Sequence, residues 1–240
     1  SETEMNARLC ERIAHRQRPL LPCEYEQLVL QEFPGLAKVK CLRGIDAKSL
    51  NRTTVVTLVA LRNRISEDWP LCTDRLLCGI EAFLRPYTSP FAEIDAINPV
   101  YEEVTVFCGV SLKEGQQAGE AISDINRNLC KCIAPWNEGQ KEPVLGYSFS
   151  IRDLVSCIRE NPAVEALHGM KLLQVMGEEE KFGLKAYTSE QDENQMIAPS
   201  VPWGILVPAV RQYVKLIEPG EWRQDIEFGD LEVENTFVIQ

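Results

Sequence analysis

The apolar residues of this chain recur in alternating helix-like and strand-like patterns along most of its length. Residues 22–33 repeat them at the three- and four-residue spacing of one helix face. Residues 36–43 and 54–61 follow as strands, and the unbroken apolar run of the second favours burial on one or both faces. A helix at 73–86 and a strand at 91–97 complete an α-β-β-α-β series, which is most of a ferredoxin-like unit.

A second series begins after residues 98–99, an Asn-Pro pair that we interpret as a domain junction. The strand at 104–112 alternates cleanly between apolar and polar positions, with a glycine at 109 as a candidate bulge. A helix at 117–134 follows, and Ser150 then opens a shorter helix. Asp153, three residues after Ser150, gives that helix start the pattern of a capping box.

These elements predict an α+β chain made of two small ferredoxin-like α/β modules in tandem plus a β-rich C-terminal extension. The predicted divisions are an N-terminal helical arm, the first module, the second module and the extension, at residues 1–17, 18–98, 99–176 and 177–240.

Composition fits a globular protein, because 45% of the 240 residues are apolar and 25% are charged. We expect no membrane span, since no apolar run approaches about 18 residues. The net charge of −11 argues against nucleic-acid binding, which requires clustered Lys and Arg. One basic face stands out, with Arg8, Arg12 and Arg16 four residues apart. It is either a solvated helix face or a docking surface for an acidic partner.

The nine cysteines include no CxxC pair, and only two histidines accompany them. We therefore predict no metal site, and we expect reduced thiols that pack as small apolar side chains. The sequence motifs of nucleotide-binding loops, serine hydrolases and zinc proteases are all absent. We predict no enzyme and no cofactor. A hydrolase built from two distant carboxylates stays open, because such residues need not be close in the chain.

Several short segments follow one another in an order that resembles a known protein family. A helix that begins with Glu-Tyr-Glu at 24–26 breaks at Pro-Gly in 34–35 and leads into a strand, followed by a valine-rich strand and a long helix. Residues 101–106 open the second series, residues 161–167 lead from a helix into a strand, and residues 228–239 look like a closing hairpin. In this order the chain resembles the baseplate J-like family, the wedge proteins of phage tails and related contractile injection systems.

The resemblance extends from residue 18 to about 175 and implies a structural protein rather than an enzyme. Its expected partners are other baseplate wedge, hub and fibre-linking tail proteins, with self-association left open. The implied location is the cytoplasm during assembly and then the baseplate of a virion or injection particle. The chain departs from the family at Leu21, where members often have Ser or Thr as helix cap, and at Ala163, where glycine is usual.

Long-lived protein interfaces are enriched in aromatic residues, so the tryptophans beside predicted loops are candidate anchors. They are Trp69, Trp136, Trp203 and Trp222. We assign Trp203 and Trp222 to the interface, together with the basic face formed by Arg8, Arg12 and Arg16. The alternative for each tryptophan is burial in its own core.

A small-molecule sensor is the alternative function. Paired α/β modules often hold a ligand between them, and this interpretation predicts a polar-rimmed pocket near residues 98–101.

Overall fold

The computed structural model describes residues 19, 21–45, 52–62, 69–136, 144–178, 181–188 and 194–217. Contacts between Cα atoms divide the chain into two compact units that meet in sequence at Pro99 and Val100, with Trp69 grouped in the second. Helices and several sheets are both present, so the α+β class is confirmed. The predicted arm at 1–17 lies outside the described residues.

The first unit contains a three-stranded sheet and two α-helices. Its elements are α1 (Pro22–Glu32), β1 (Leu36–Ile45), β2 (Arg52–Arg62), α2 (Asp74–Leu84), a 3-10 turn (Arg85–Tyr87) and β3 (Glu93–Ile97). The strand order is β1-β2-β3, with β1 antiparallel to β2 and β3 parallel to it. All five predicted elements of this unit are confirmed to within two residues at each end.

The pairing of β2 with β3 differs from the predicted ferredoxin-like module. In a split βαβ unit, the two strands that a helix connects have another strand between them. Here α2 connects β2 to β3, and the two strands are direct parallel neighbours, with Val55 opposite Glu93 and Val59 opposite Ile97. Local periodicity identified the elements correctly, but it carries no information on which strands pair.

The central strand β2 is buried on both faces, as its unbroken apolar run suggests. Val56, Leu58 and Ala60 face the two helices and belong to the core of this unit. Val59 and Leu61 point to the opposite face and are also fully buried.

Helix α1 begins without a side-chain cap, because Leu21 occupies the cap position. Pro22 fills the first turn, where its missing N–H costs nothing. The carboxylate of Glu24 reaches back and accepts a hydrogen bond from the Leu21 backbone N–H at 3.0 Å. The Glu24 carboxylate, at the third helical position, thus takes over part of the capping role of a Ser or Thr. The family resemblance predicts such a residue at position 21.

Both edge strands of the first sheet are tied to a helix by a glutamate. Glu26 of α1 accepts a hydrogen bond from the backbone N–H of Cys41 in β1 at 2.9 Å. Glu81 of α2 accepts one from the backbone N–H of Ala96 in β3 at 3.0 Å. Each carboxylate covers an edge N–H that would otherwise be available to a foreign strand.

The second unit is larger and contains a mixed sheet with two helices. Its elements are β4 (Val100–Leu112), α3 (Ala118–Ile133), β5 (Phe149–Ser150), α4 (Ile151–Arg159), β6 (Val164–Glu178), β7 (Lys181–Thr188), β8 (Met196–Ile197), β9 (Gly204–Pro208) and β10 (Tyr213–Leu216). The main sheet has the order β10-β4-β6-β7, and β9 also pairs with β4. The short strands β5 and β8 pair separately.

One face of this sheet packs against α3 and α4. The strands contribute alternate residues of β4 together with β6 and β9, namely Val104, Val106, Cys108, Val110, Met170, Leu172 and Leu206. The helices contribute residues at helical spacing, namely Ile125, Leu129, Ile133, Ile151, Leu154, Val155 and Ile158. This is the core that positions the rest of the second unit.

The register changes beside Gly109, where a bulge was predicted, but the bulge itself lies in the partner strand β6. Gly109 pairs with Gly169, but the next pair joins Val110 to Leu167, so His168 is an extra residue in β6. Gly169 has a φ of 148°, a conformation that only glycine adopts readily. Two facing glycines thus allow the register change in the longest strand pair.

The start of α4 is a true capping box. The Ser150 hydroxyl accepts a hydrogen bond from the Asp153 backbone N–H at 3.2 Å, and the Asp153 carboxylate accepts one from the Ser150 backbone N–H at 2.8 Å. The predicted pairing of these two residues is confirmed. The helix ends before Asn161, as predicted.

The expected β-rich extension at 177–240 needs correction over its described residues. Strand β7 pairs with β6, and both β9 and β10 pair with β4. These strands belong to the sheet of the second unit rather than to an addition outside it. Strand β7 pairs with the strand just before it, but the partner of β9 and β10 lies about 100 residues earlier in the chain, a distance over which sequence pattern gives no pairing information.

Candidate interaction surface

Strands β9 and β10 lie end to end along one side of β4. Strand β9 runs parallel to Val100–Val104, and β10 runs parallel to Phe107–Val110. Strand β6 occupies the opposite side of β4, so β9 and β10 together form an edge of the sheet. Residues 209–212 interrupt this edge.

The side chain of Gln212 bridges the interruption. Its Oε1 accepts a hydrogen bond from the Val106 backbone N–H at 2.6 Å. Its Nε2 donates to the carbonyl of Val104 at 3.3 Å and to that of Ala209 at 3.1 Å. The amide of one side chain therefore supplies to β4 the donor and the acceptor that a continuous strand would have supplied.

Because Gln212 bridges the gap, the backbone at 210–211 need not pair with β4, and it projects outward. Val210 is 95% exposed, and Tyr213 at the start of β10 is 52% exposed while its ring stacks on Phe107 with 4.8 Å between centroids. Arg211 and Lys215 are also exposed. We call Val210, Arg211, Tyr213 and Lys215 the edge surface. It combines two apolar side chains with two cations on a chain of net charge −11.

A buried polar cluster fixes the region beside β9. The Glu102 carboxylate is fully buried and accepts hydrogen bonds from the Ser200 backbone N–H at 2.7 Å, from the Ser200 hydroxyl and from the Gln174 amide. The Gln174 carbonyl accepts from the Tyr187 hydroxyl at 2.7 Å, and its amide also donates to Ala198. Burial raises the pKa of Tyr187, and the charge of Glu102 raises it further.

The geometry of this cluster suits structure rather than chemistry. Both oxygens of Glu102 are already used, so the group ties the turn at 198–200 to β4, β6 and β7. Sequence reasoning missed it. A signal existed, because Glu102 shares the inward-facing alternation of Val104 and Val106, where a charged residue must be paired.

Of the predicted interface residues, the structure describes one. Arg8, Arg12, Arg16 and Trp222 lie outside the described residues. Trp203 is 3% exposed, so the expectation of an exposed Trp203 is wrong. It precedes β9, whose residues Gly204–Val207 are all buried, so an aromatic ring at the start of this strand packs into the same core.

The other candidate tryptophans divide between surface and interior. Trp69 is 40% exposed and stacks on Tyr101 with 5.9 Å between centroids. Trp136 is buried and meets Tyr147 edge to face. Trp69 is therefore the only tryptophan in the described part of the chain with a largely accessible ring.

The sensor alternative predicted a polar-rimmed pocket near residues 98–101. The Asn98 side chain accepts a hydrogen bond from the Cys72 backbone N–H at 2.7 Å and donates to the Cys72 carbonyl at 3.1 Å. Tyr101 stacks on Trp69. These contacts hold the chain in place. The Asn98 side chain and the Tyr101 ring are therefore already occupied by contacts within the protein.

The described part of the chain shows neither a metal-binding cluster nor a membrane-spanning helix. Nowhere in that part of the chain do three or more His, Cys, Asp or Glu side chains gather closely enough to hold a metal ion. None of its helices combines the length and the apolar character needed to cross a membrane.

Comparison with known proteins gives a structural likeness. No family model matches the sequence, and no curated protein matches it either. A chain in the cryo-EM structure of the six-fold symmetrised baseplate of the anti-feeding prophage (AFP) aligns with a TM-score of 0.58 and 20% sequence identity. The alignment covers 87% of this chain but only 41% of the AFP chain. The protein thus shares its fold with part of a longer chain from a contractile injection apparatus.

Proposed function

We propose that this protein is a structural component of the baseplate of a phage tail or related contractile injection system. The observation that carries the proposal is the fold likeness to a chain of the AFP baseplate over 87% of the present chain. The order of segments from residue 24 to 167 supports it independently, because it resembles the baseplate J-like family.

Within the baseplate, we propose a wedge role and membership of the baseplate J-like family. A wedge protein must hold several neighbours in fixed positions, which requires extended contact surfaces on a rigid scaffold. In the second unit, β4 is hydrogen-bonded to β6 along one side and to β9 and β10 along the other. This continuous backbone pairing would give the rigid scaffold that the role requires.

The edge surface is our proposed contact with a neighbouring baseplate subunit. Strand β10 is the last strand in the order of its sheet among the described residues, and a further strand could pair with its outer side. Arg211 and Lys215 would favour a segment that carries acidic side chains, and Val210 and Tyr213 would bury apolar area against it. The sequence-based assignments of Arg8, Arg12, Arg16 and Trp222 to the interface remain part of the proposal.

Paired variants test this contact. We expect Val210→Asp combined with Tyr213→Ser to leave the fold intact, because both side chains are exposed, and to reduce incorporation into particles at least tenfold. The matched control combines Val144→Asp and Met196→Ser, which alter two apolar side chains of comparable size that are 46% and 56% exposed in the same unit. Quantification of the tagged protein in purified particles is the measurement. Equal incorporation of both double variants would contradict the role of the edge surface.

A further inference from the structure

Two cysteine thiols meet where α3 packs against α4. Cys132 lies at the end of α3 and Cys157 lies near the end of α4, and each sulfur contacts a backbone carbonyl of the opposite helix. The two residues are 25 positions apart in sequence (157 − 132) and share no sequence motif. Their proximity is thus a product of the fold.

The arrangement around the two sulfurs is reciprocal. The Sγ of Cys132 lies 3.8 Å from the carbonyl oxygen of Asp153, and the Sγ of Cys157 lies 3.5 Å from that of Asn128. Asn128 is four residues before Cys132, and Asp153 is four residues before Cys157. Each thiol therefore lies against the opposite helix, one turn before the other cysteine. The helix crossing thus brings the two sulfurs near each other.

The two thiols differ in their electrostatic environment. The hydrogen bond from Cys132 lowers the pKa of Cys157, and the positive charge of Lys131 lowers it further against the opposing effects of burial and Glu160. The same hydrogen bond raises the pKa of Cys132, and burial adds to that increase. Cys157 is consequently the thiol that more readily becomes the nucleophilic thiolate.

Both thiols are partly exposed, and Cys157 also borders a cavity. Cys157 lines a polar cavity of about 570 Å³ between α3 and the turn that follows α4. Asn128, Lys131, Glu160 and Asn161 line the cavity with it. We infer that this cavity is the route by which a disulfide reagent approaches Cys157.

We propose that Cys132 and Cys157 form a reversible dithiol–disulfide pair that reacts with low-molecular-weight disulfides of the glutathione type. The Cys157 thiolate attacks one sulfur of the reagent, which breaks the reagent's S–S bond and releases one thiolate. Cys132, after losing its proton, attacks the Cys157 sulfur of the mixed disulfide and releases the second thiolate. The two protons from the protein thiols convert the released thiolates to two small thiols, and the protein gains one S–S bond that joins α3 to α4.

This bond would form under oxidising conditions and reopen in a reducing cytosol. It would close a loop of about 25 residues, which by chain entropy raises the melting temperature by about 5 to 10 °C. The reaction does not depend on the proposed baseplate role, and its test uses the purified chain alone.

The test is peptide mapping of the full-length protein after incubation with oxidised glutathione. Trypsin releases Cys132 in residues 132–141 and Cys157 in residues 153–159. We expect these two peptides to be recovered linked, with the link lost after dithiothreitol. The linked species should raise the melting temperature of the wild type and of Cys78→Ser, an exposed-cysteine control, but not of Cys132→Ser or Cys157→Ser.

Two outcomes would overturn the proposal. One is recovery of both thiols free under conditions that glutathionylate the exposed Cys23 and Cys78. The other is a stable mixed disulfide at Cys157 with Cys132 still free, which would show that the second attack does not occur. Both outcomes are read on the wild-type protein, so the test remains decisive even where a variant fails to fold.

Discussion

Burial inside the second unit strongly affects the ionisation of one side chain, the thiol of Cys108. It is fully buried between Val106 and Val110 on the helix-covered face of β4, and burial raises the pKa of its thiol from 9.0 to about 12. Cys72 in the first unit behaves alike, with burial raising its pKa to about 11 against the small opposing effect of Arg62. Such thiols pack as neutral, small apolar groups, as the sequence predicted.

The raised pKa of Cys108 predicts a loss of stability at alkaline pH. Below pH 9 the thiol is protonated in both the folded and the unfolded chain, so its contribution is fully present. Between pH 9 and about 12 only the unfolded chain releases the proton, and the free energy of unfolding falls with a limiting slope of about 1.4 kcal/mol per pH unit. Urea denaturation at several pH values should show a shallower alkaline slope for Cys108→Ala than for the wild type.

Cys23→Ala is the matched control, because that thiol is exposed. Identical slopes for the wild type and Cys108→Ala would contradict a buried, neutral Cys108.

At the scale of elements, the edge of the second sheet is held by a side chain where the strand itself is broken. Gln212 pairs with β4 between β9 and β10, and residues 210–211 are thereby released to the surface. In a continuous strand, every second residue of this stretch would form backbone hydrogen bonds with β4. At the break, residues 210–211 are exposed at the edge of the sheet instead of being paired with β4.

Gln212→Leu tests whether the side chain holds this edge. Leucine keeps the approximate size but leaves the Val106 N–H without its partner and removes one of the donors to the Val104 carbonyl, so we expect a loss of about 1 to 3 kcal/mol in the free energy of unfolding. Chemical denaturation measures it. Gln116→Leu is the matched control at an exposed position. Equal stability of the two variants would show that the Gln212 amide does not support the strand.

Local pattern predicted the elements of this protein well and their pairing poorly. The stripe Ile151, Leu154, Val155 and Ile158 of α4 is buried as its helical spacing required, and the Ser150 cap is confirmed. By contrast, no local pattern marks Gln212 as a bridging residue, because its partners Val104 and Val106 are more than 100 residues away. The edge surface depends on that long-range pairing, which is why sequence reasoning did not find it.

The same limit explains the error at Trp203. A tryptophan beside a loop is compatible with an exposed anchor or with a core residue, and the choice depends on where the following strand lies in the sheet. Strand β9 lies against the first part of β4, so Trp203 is buried at its entry. The alternation along β4 marks Glu102 as inward-facing, but its partners Gln174, Tyr187 and Ser200 come together only in three dimensions.

At the scale of the whole molecule, the two units together share the fold of part of a longer baseplate chain. The proposed baseplate role requires contacts with neighbouring subunits, so substitutions should separate into those that unfold the protein and those that detach it from its neighbours. The tryptophans offer a direct comparison, because Trp203 is a core residue and Trp222 is a proposed interface residue.

We expect Trp203→Ala to lose about 3 to 5 kcal/mol in the free energy of unfolding, since it empties a large buried volume. Trp222→Ala should leave the melting temperature within about 2 °C of the wild type and weaken association with baseplate partners. Thermal unfolding and a co-purification assay of the two variants provide the comparison. A stability loss at Trp222 as large as that at Trp203 would place Trp222 in the core instead.

The most direct measurement of the central proposal is purification of the tagged, full-length protein from cells shown to be producing the injection particle, followed by mass spectrometry of the proteins that accompany it. A structural baseplate role predicts co-purification of sheath, spike and fibre-type tail proteins in constant ratio, and loss of these proteins with the Val210→Asp, Tyr213→Ser variant. Purification of the chain alone from such cells would contradict the baseplate role.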